Sequence, residues 1–404
     1  MTNDAPVLPS VDPFAPEALA DPTGYLRQIR ATAPVSWMPA MRANLLVRHA
    51  DVAAALKDNR LATANLTQGL DQLSEDEQAE LRPVRESMER WMGHTNTEDH
   101  LRFQHLLKRY FTPSMVNGLR PRVREFTHEL LDAAAPAGRM DVVPDLAYPL
   151  PANIIAEMLG MPIGDRELLR AWSRDILALF QVADVDRMRA AQRSVLEMQD
   201  YLRPLLEDRR QHPREDLLTV FASAERDGIV NEEEIVANCV LLLFAGHETT
   251  ASLIASGVHL LMANPDQFAL LKSQPDLTPS AVEEMMRCDG PAGVISRVSL
   301  EPVTLAGHEF PAGRHLYLAI SAANRDPEVF DQPDRFDITR KPNRHMGFGI
   351  GVFYCLGAAL ARTEADECFR ILLTRCPDIR PAGPAGRIMV PPFNDHLESL
   401  PVEF

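Results

Sequence analysis

Cysteine is scarce in this chain, and what there is does not pair. The five cysteines are Cys239, Cys288, Cys355, Cys368 and Cys376. An odd number with no CxxC spacing argues against zinc ribbons and against a disulfide framework. Long apolar runs are missing too. No stretch approaches about 18 consecutive apolar residues, so no membrane-spanning helix is expected. The longest apolar cluster, 239–245, is broken by Gly246-His247-Glu248. The N-terminal segment MTNDAPVLPSVDPFAPEALADP has neither a basic region nor an apolar one, so it does not read as a secretory leader. Basic runs are absent, and 41 Lys and Arg against 57 Asp and Glu leave a net charge of −16. A duplex binder needs cations to neutralise phosphates, so nucleic acid is a poor partner. There is no internal repeat and no low-complexity linker. The expectation is a cytoplasmic, reduced protein with no membrane and no nucleic-acid partner.

What is present is an ordinary globular composition, 46% hydrophobic and 24% charged, long enough for a large core with room for a sizeable cofactor. Apolar residues recur at helical spacing over 122–135 and 187–202. The clearest helix starts near Asn231, which can cap it, with Glu234 three residues on to complete a capping box. It runs to about Ala263 and stops before Asn264-Pro265. Strand-like segments are short, near 43–48, 294–303 and 315–320. The proline-rich stretch 381–392 reads as turns and extended chain. The chain is therefore expected to be mainly helical with a small β-rich portion, one domain over 1–404 with an extended segment over 1–20.

Four groups of residues suggest chemistry. In Phe348-Gly349-Ile350-Gly351-Val352-Phe353-Tyr354-Cys355-Leu356-Gly357, glycines on both sides of a cysteine allow a tight loop that can approach a flat object. The helical segment that follows puts Cys355 at a helix N-terminus, where a thiolate is favoured. A buried structural cysteine in a glycine-rich turn is the plainer alternative. Within the long helix, Ala245-Gly246-His247-Glu248-Thr249-Thr250 sets a carboxylate beside a hydroxyl. A zinc-peptidase HExxH fails because residue 251 is Ala; a solvated face of an ordinary helix stays open. Glu284 and Arg287 share one helix face and can pair, as many surface residues do. Finally, Asp99-His100-Leu101-Arg102-Phe103-Gln104 offers a helical His, which can equally be a surface residue.

The cysteine loop resembles the FGxGxHxCxG motif of the cytochrome P450 family, and the other three groups occur in that family's order and at about its spacing over roughly 21–400. Ile295-Ser296-Arg297, Asn324-Arg325-Asp326-Pro327 and Pro333-Asp334-Arg335-Phe336 also look like it. The resemblance implies the P450 fold, with haem b between the long helix and the cysteine-loop helix, Cys355 as the thiolate ligand of the iron, and Phe348, Gly349, Gly351, Phe353, Gly357 and Ala245 around the haem. Thiolate ligation favours O–O cleavage. It further implies that Thr249 and Glu248 deliver protons, that Ala245 and Gly246 are small so that the helix can lie over the haem, that His100 and Arg297 hold the propionates, and that Glu284, Arg287 and Arg335 form a buried ion cluster. Two positions depart: Gln104 and Phe353 stand where the family usually has basic residues, so fewer cations are expected at the propionates.

By the same resemblance, Leu243, Phe244, His247, Val294, Ile295 and Phe393 are candidate pocket residues, with parts of 66–92 and 179–182. That mostly apolar set suits a medium or large organic substrate. Electrons are expected from a ferredoxin and its reductase, docking on a basic face of Arg102, His105, Lys108, Arg109 and Arg362. With the sequence ending at Phe404, no fused reductase is expected. Monooxygenation of an organic substrate with dioxygen leads; coupling, desaturation or ring formation by the same oxidant is the alternative, and a haem-thiolate sensor without turnover the third reading.

Overall fold

A computed structural model describes residues 8–63, 70, 73–95, 97–180, 185–390 and 392–404. The chain divides into two compact units, each assembled from three separate stretches. One comprises Met1–Ala64, Ser256–Cys355 and Ala385–Glu398; the other comprises Asn65–Ala255, Leu356–Pro384 and Ser399–Phe404.

The first unit holds the largest sheet. Its strands run in the order Val35–Met38, Ala43–Leu46, His315–Leu318, Ile295–Ser299, Leu61–Thr63. Only the pair Ala43–Leu46 with His315–Leu318 is parallel. The three short strand-like stretches expected near 43–48, 294–303 and 315–320 all contain strands here, though trimmed at their ends. Residues 43–46 are buried at every position, and the one polar side chain among them, Asn44, is satisfied by donating its amide to the Ser36 carbonyl at 3.2 Å. The expected extended segment 1–20 is corrected in part: Pro16–Ala20 is a helix. Proline at its first turn suits a helix start, and burial of Ala18 anchors it. The proline-rich stretch also contains a strand, Gly386–Val390, paired with Asn394–Ser399.

The long helix spans Glu232–Ala263, 32 residues. Its capping box forms as expected: the Glu234 amide donates to Asn231 Oδ1 at 3.0 Å, and the Asn231 amide donates to Glu234 Oε2 at 2.9 Å. The helix is long and apolar enough to cross a membrane, but 67% of that apolar window is buried inside the protein, so it is a core helix.

The second unit is helical. The helix expected from 122 begins earlier, at Pro113, because Thr112 caps it and Pro113 occupies its first position. Against it packs the helix Ala358–Arg375 that follows the cysteine loop. Arg120 ties the two together through Asp366 at 2.8 Å and Glu367 at 2.7 Å, both largely buried. Val185–Gln211 extends the helix expected over 187–202.

Candidate active site

Glycine is required in the cysteine loop by backbone geometry. Gly349 and Gly351 have φ of 71° and 79°, a region L-residues rarely enter. A side chain at Gly351 would also meet the Leu56 carbonyl oxygen at 2.9 Å. The loop closes when the Cys355 amide donates to the Phe348 carbonyl at 2.9 Å. Phe348 is itself buried and anchors the start of the turn. Gly357 is different: its φ is −82°, and a Cβ there meets nothing within 4 Å. The N-cap residue Gly357 has no side chain and so cannot itself cap the helix that begins at Ala358.

Cys355 is the one exposed cysteine of the five. Burial pushes the thiols of Cys288 and Cys368 up to about 12, and those of Cys239 and Cys376 up as well. Those four are held as thiols, which makes the exposed Cys355 the candidate for thiolate chemistry.

The implied haem can be tested against Arg297. Its guanidinium is buried, and burial pulls its pKa down to about 10. Among the described residues no carboxylate pairs with it. One N–H donates to the Ser296 carbonyl at 2.8 Å, and the Phe353 ring lies against it with the guanidinium carbon 5.1 Å from the ring centroid. A buried cation lacking a protein anion fits an acidic group such as a haem propionate. Phe353 is thus an aromatic support for Arg297 in place of a donor. In the other unit His100 is buried rather than at the surface, and its Nδ1 donates to the Met92 carbonyl at 2.8 Å. That contact fixes the orientation of the ring. These residues fit a thiolate-ligated haem.

On the long helix, Ala245 and Thr249 are exposed four residues apart on one face, and Thr249 Oγ1 donates to the Ala245 carbonyl at 2.9 Å. Leu241 and Leu242, not singled out from sequence, belong to the same face and are partly exposed. Leu243 and His247 are corrected as pocket candidates. Both are wholly buried, because two residues along a helix is about 200° around it. Phe244 is also buried. Gly246 is small for another reason than expected: a Cβ would lie 2.8 Å from Ile155 of the neighbouring helix.

In the first unit, Val294 and Phe393 share one apolar cluster, while Ile295 packs on the adjacent one. Asn394 Oδ1 accepts from the amides of Gly293 at 2.8 Å and Val294 at 3.2 Å, fixing the two loops together. Residues 66–69, 71, 72, 181 and 182 of the remaining pocket stretches lie outside the described residues.

The ion cluster forms with a changed third member. Glu284 and Arg287 make a two-pronged pair at 2.8 Å on both arms, each wholly or nearly buried. The second guanidinium on Glu284 is that of Arg340, at 3.2 Å, with the Asn343 amide at 3.1 Å. Arg335 is exposed and contributes only its backbone carbonyl, which accepts from Arg287 at 2.9 Å. Arg102 is likewise corrected as a docking cation: it pairs with Asp99 at 3.0 Å and Glu234 at 2.6 Å. His105, Lys108 and Arg109 are exposed, and Arg362 is partly buried.

A carboxyl not singled out from sequence, Glu364, is buried in the helix that follows the cysteine. Among the described residues neither of its oxygens has a well-formed hydrogen bond, and burial raises its pKa from 4.5 to about 8, the Thr250 hydroxyl offsetting this only in part. The folded protein therefore holds a proton that the unfolded chain releases. Stability falls as pH rises from about 4.5 to about 8. Glu364→Gln is expected to remove this dependence, gaining on the order of a few kcal/mol over the parent between about pH 5 and pH 8. Urea midpoints of both proteins across that range check it. A constant difference would show that Glu364 does not carry the proton.

A family model described as "Cytochrome P450" matches residues 102–276 and 272–377. The monooxygenase PikC of Streptomyces venezuelae is 40% identical over 312 residues, 76% of this chain and 74% of that protein. The polyketide-biosynthesis cytochrome P450 PksS of Bacillus subtilis is 33% identical over 403 residues, 96% of this chain and 97% of that one. The crystal structure of P450BioI, solved with a hexadec-9Z-enoic acid-ligated acyl carrier protein, superposes with a TM-score of 0.90 at 32% identity, covering 96% of this chain and all of that one. With a cysteine loop, a carboxylate–hydroxyl pair and a buried Glu–Arg cluster all in place, this chain belongs to the cytochrome P450 family and is a haem-thiolate monooxygenase.

Proposed function

We propose that this protein acts within a single P450 domain in the cytoplasm. It inserts oxygen, by hydroxylation or epoxidation, into a medium-to-large, mostly apolar substrate of natural-product metabolism. A ferredoxin and its reductase supply the electrons. The observation that carries this reading is the exposed face of the long helix, where Thr249 follows the partly exposed Glu248. The haem, when bound by Cys355, supplies the oxidising chemistry: one atom of dioxygen goes to substrate and the other to water, with two electrons and two protons consumed. The protein's part is to bring those protons. Because Thr249 already donates its hydroxyl proton to the Ala245 carbonyl, its oxygen lone pairs remain free to accept from a water and orient it. Glu248, with its side chain 25% exposed, connects that position with solvent.

The substrate class is supported by the apolar character of Leu241 and Leu242 on the partly exposed face of the long helix, and by the similarity to PksS of polyketide biosynthesis. Docking of an acidic ferredoxin is supported by exposed His105, Lys108 and Arg109 in a chain of net charge −16. Thr249→Ala tests the proton-delivery role. It is expected to consume reductant still, but to yield about ten- to a hundredfold less product per reductant, with peroxide making up the difference. Unchanged coupling would overturn that role.

A further inference from the structure

His247 stands immediately before Glu248, yet its ring faces inward. It is wholly buried, with its edge against the Tyr148 ring at a centroid distance of 4.9 Å and an interplanar angle of 77°. Its Nδ1 lies 2.5 Å from the Leu243 carbonyl oxygen. A carbonyl can only accept, so Nδ1 carries a hydrogen. In a neutral imidazole the other nitrogen, Nε2, is then a bare lone pair. Nε2 lies 3.3 Å from Glu248 Oε1, and among the described residues it has no well-aligned hydrogen-bond partner. Two acceptors facing each other at that distance, one of them fully buried, repel unless a proton sits between them. The arrangement is satisfied when one proton is shared, on the imidazole or on the carboxyl. Either way the pair is net neutral and held together.

We infer that His247 is a positioning residue for the proton relay: it keeps one proton on the His247–Glu248 pair and fixes the Glu248 carboxyl between the buried core and the exposed face that bears Thr249. This rests on the reading of Glu248 as the relay acid. The surroundings are consistent. Tyr148, the titratable group facing His247 from the turn before the helix Pro149–Leu159, is held protonated chiefly by burial, and so does not compete for the proton. Arg170, 5.9 Å from the Tyr148 ring centroid, and Arg174 lie around that tyrosine. The shared proton passes from Glu248 towards the Thr249 position, and the pair is refilled from solvent through the exposed edge of Glu248, so protons balance without any other reactant.

Two substitutions separate this role from packing. His247→Asn places an amide N–H near the position of Nδ1 and can keep the Leu243 contact, but is too short to reach Glu248. His247→Gln places its amide nitrogen near the position of Nε2 and can still donate to Glu248. With the haem-loaded protein and any substrate that binds, His247→Asn is expected to lower product per reductant about tenfold, as Glu248→Gln does, while His247→Gln stays within about twofold of the parent. The Asn/Gln double change His247→Asn, Glu248→Gln is expected to be no worse than Glu248→Gln alone. In the parent protein with 15N-labelled histidine, as its diamagnetic reduced carbon-monoxide complex, the His247 Nε2 resonance is expected to move in Glu248→Gln. Equal impairment by Asn and Gln, or an Nε2 resonance unmoved by Glu248→Gln, would overturn the proposal. If Glu248→Gln itself couples normally, the relay reading fails instead.

Discussion

Replacing Arg287 by leucine is expected to lower stability by about 3–5 kcal/mol, because it leaves a buried carboxylate facing too few donors. Glu284 is wholly buried and draws both arms of its strongest contact from Arg287. The guanidinium also donates to the carbonyls of Asn324, Pro333 and Arg335, at 3.0, 2.6 and 2.9 Å, so one side chain satisfies three loop carbonyls as well as the carboxylate. Removing it takes a donor from each of them and leaves the Arg335 carbonyl only the longer contact from Arg340 at 3.2 Å. Arg340 and Asn343 remain on Glu284, which is why the loss should stop short of abolishing the fold altogether. Urea midpoints measure the effect. Two companions sharpen it: Arg340→Ala should cost more than Arg335→Ala, whose exposed side chain should change stability by no more than about 0.5 kcal/mol. If Arg335→Ala proved the more damaging, the assignment of Arg340 to the cluster would be wrong.

Cys355→Ser is expected to abolish the thiolate-type absorption of the reduced carbon-monoxide complex. Serine keeps the size and the loop hydrogen bond from the residue 355 amide to the Phe348 carbonyl, so the loop should still fold. What is lost is the soft, anionic sulfur donor. The four buried cysteines provide the control, since their thiols are held protonated by burial. Alanine at Cys239, Cys288, Cys368 or Cys376 should leave the spectrum intact. A surviving thiolate spectrum in Cys355→Ser would mean that another cysteine binds iron.

The chemistry-bearing residues were legible because they cluster locally. A glycine at φ of 71° and another at 79° leave a mark in the sequence, since few other residues tolerate that backbone. The capping box of the long helix is a three-residue pattern, and both of its hydrogen bonds form as expected. Glu284 and Arg287 are one helical turn apart, so their pairing also follows from spacing alone. The face assignment within the long helix was equally available from helical geometry. Leu243 and His247 were placed in the pocket by resemblance, whereas the 3.6-residue period puts them opposite Ala245 and Thr249.

Other features depended on packing between distant segments. Sequence can propose a third arginine for Glu284, but Arg335 and Arg340 lie in one irregular stretch with no period to say which side chain turns inward. Only the fold, with Arg340 11% exposed and Arg335 on the surface, chose between them. Phe353 read as a missing donor. Its use depends on Arg297, which comes from a strand more than fifty residues away and lies against its ring. Glu364 looked like any polar residue on a helix that carries Asp366 and Glu367 as well. Those two meet Arg120, whereas Glu364 has no ion-pair partner among the described residues and burial raises its pKa. A local motif constrains backbone angles and neighbours within a few residues, and so determined by itself the turn that carries Cys355 and the adjacency of Glu248 and Thr249 on one helix. The desolvation of a charge depends on everything packed around it, so which arginines and carboxylates are paired, supported or left neutral was decided by the tertiary structure alone.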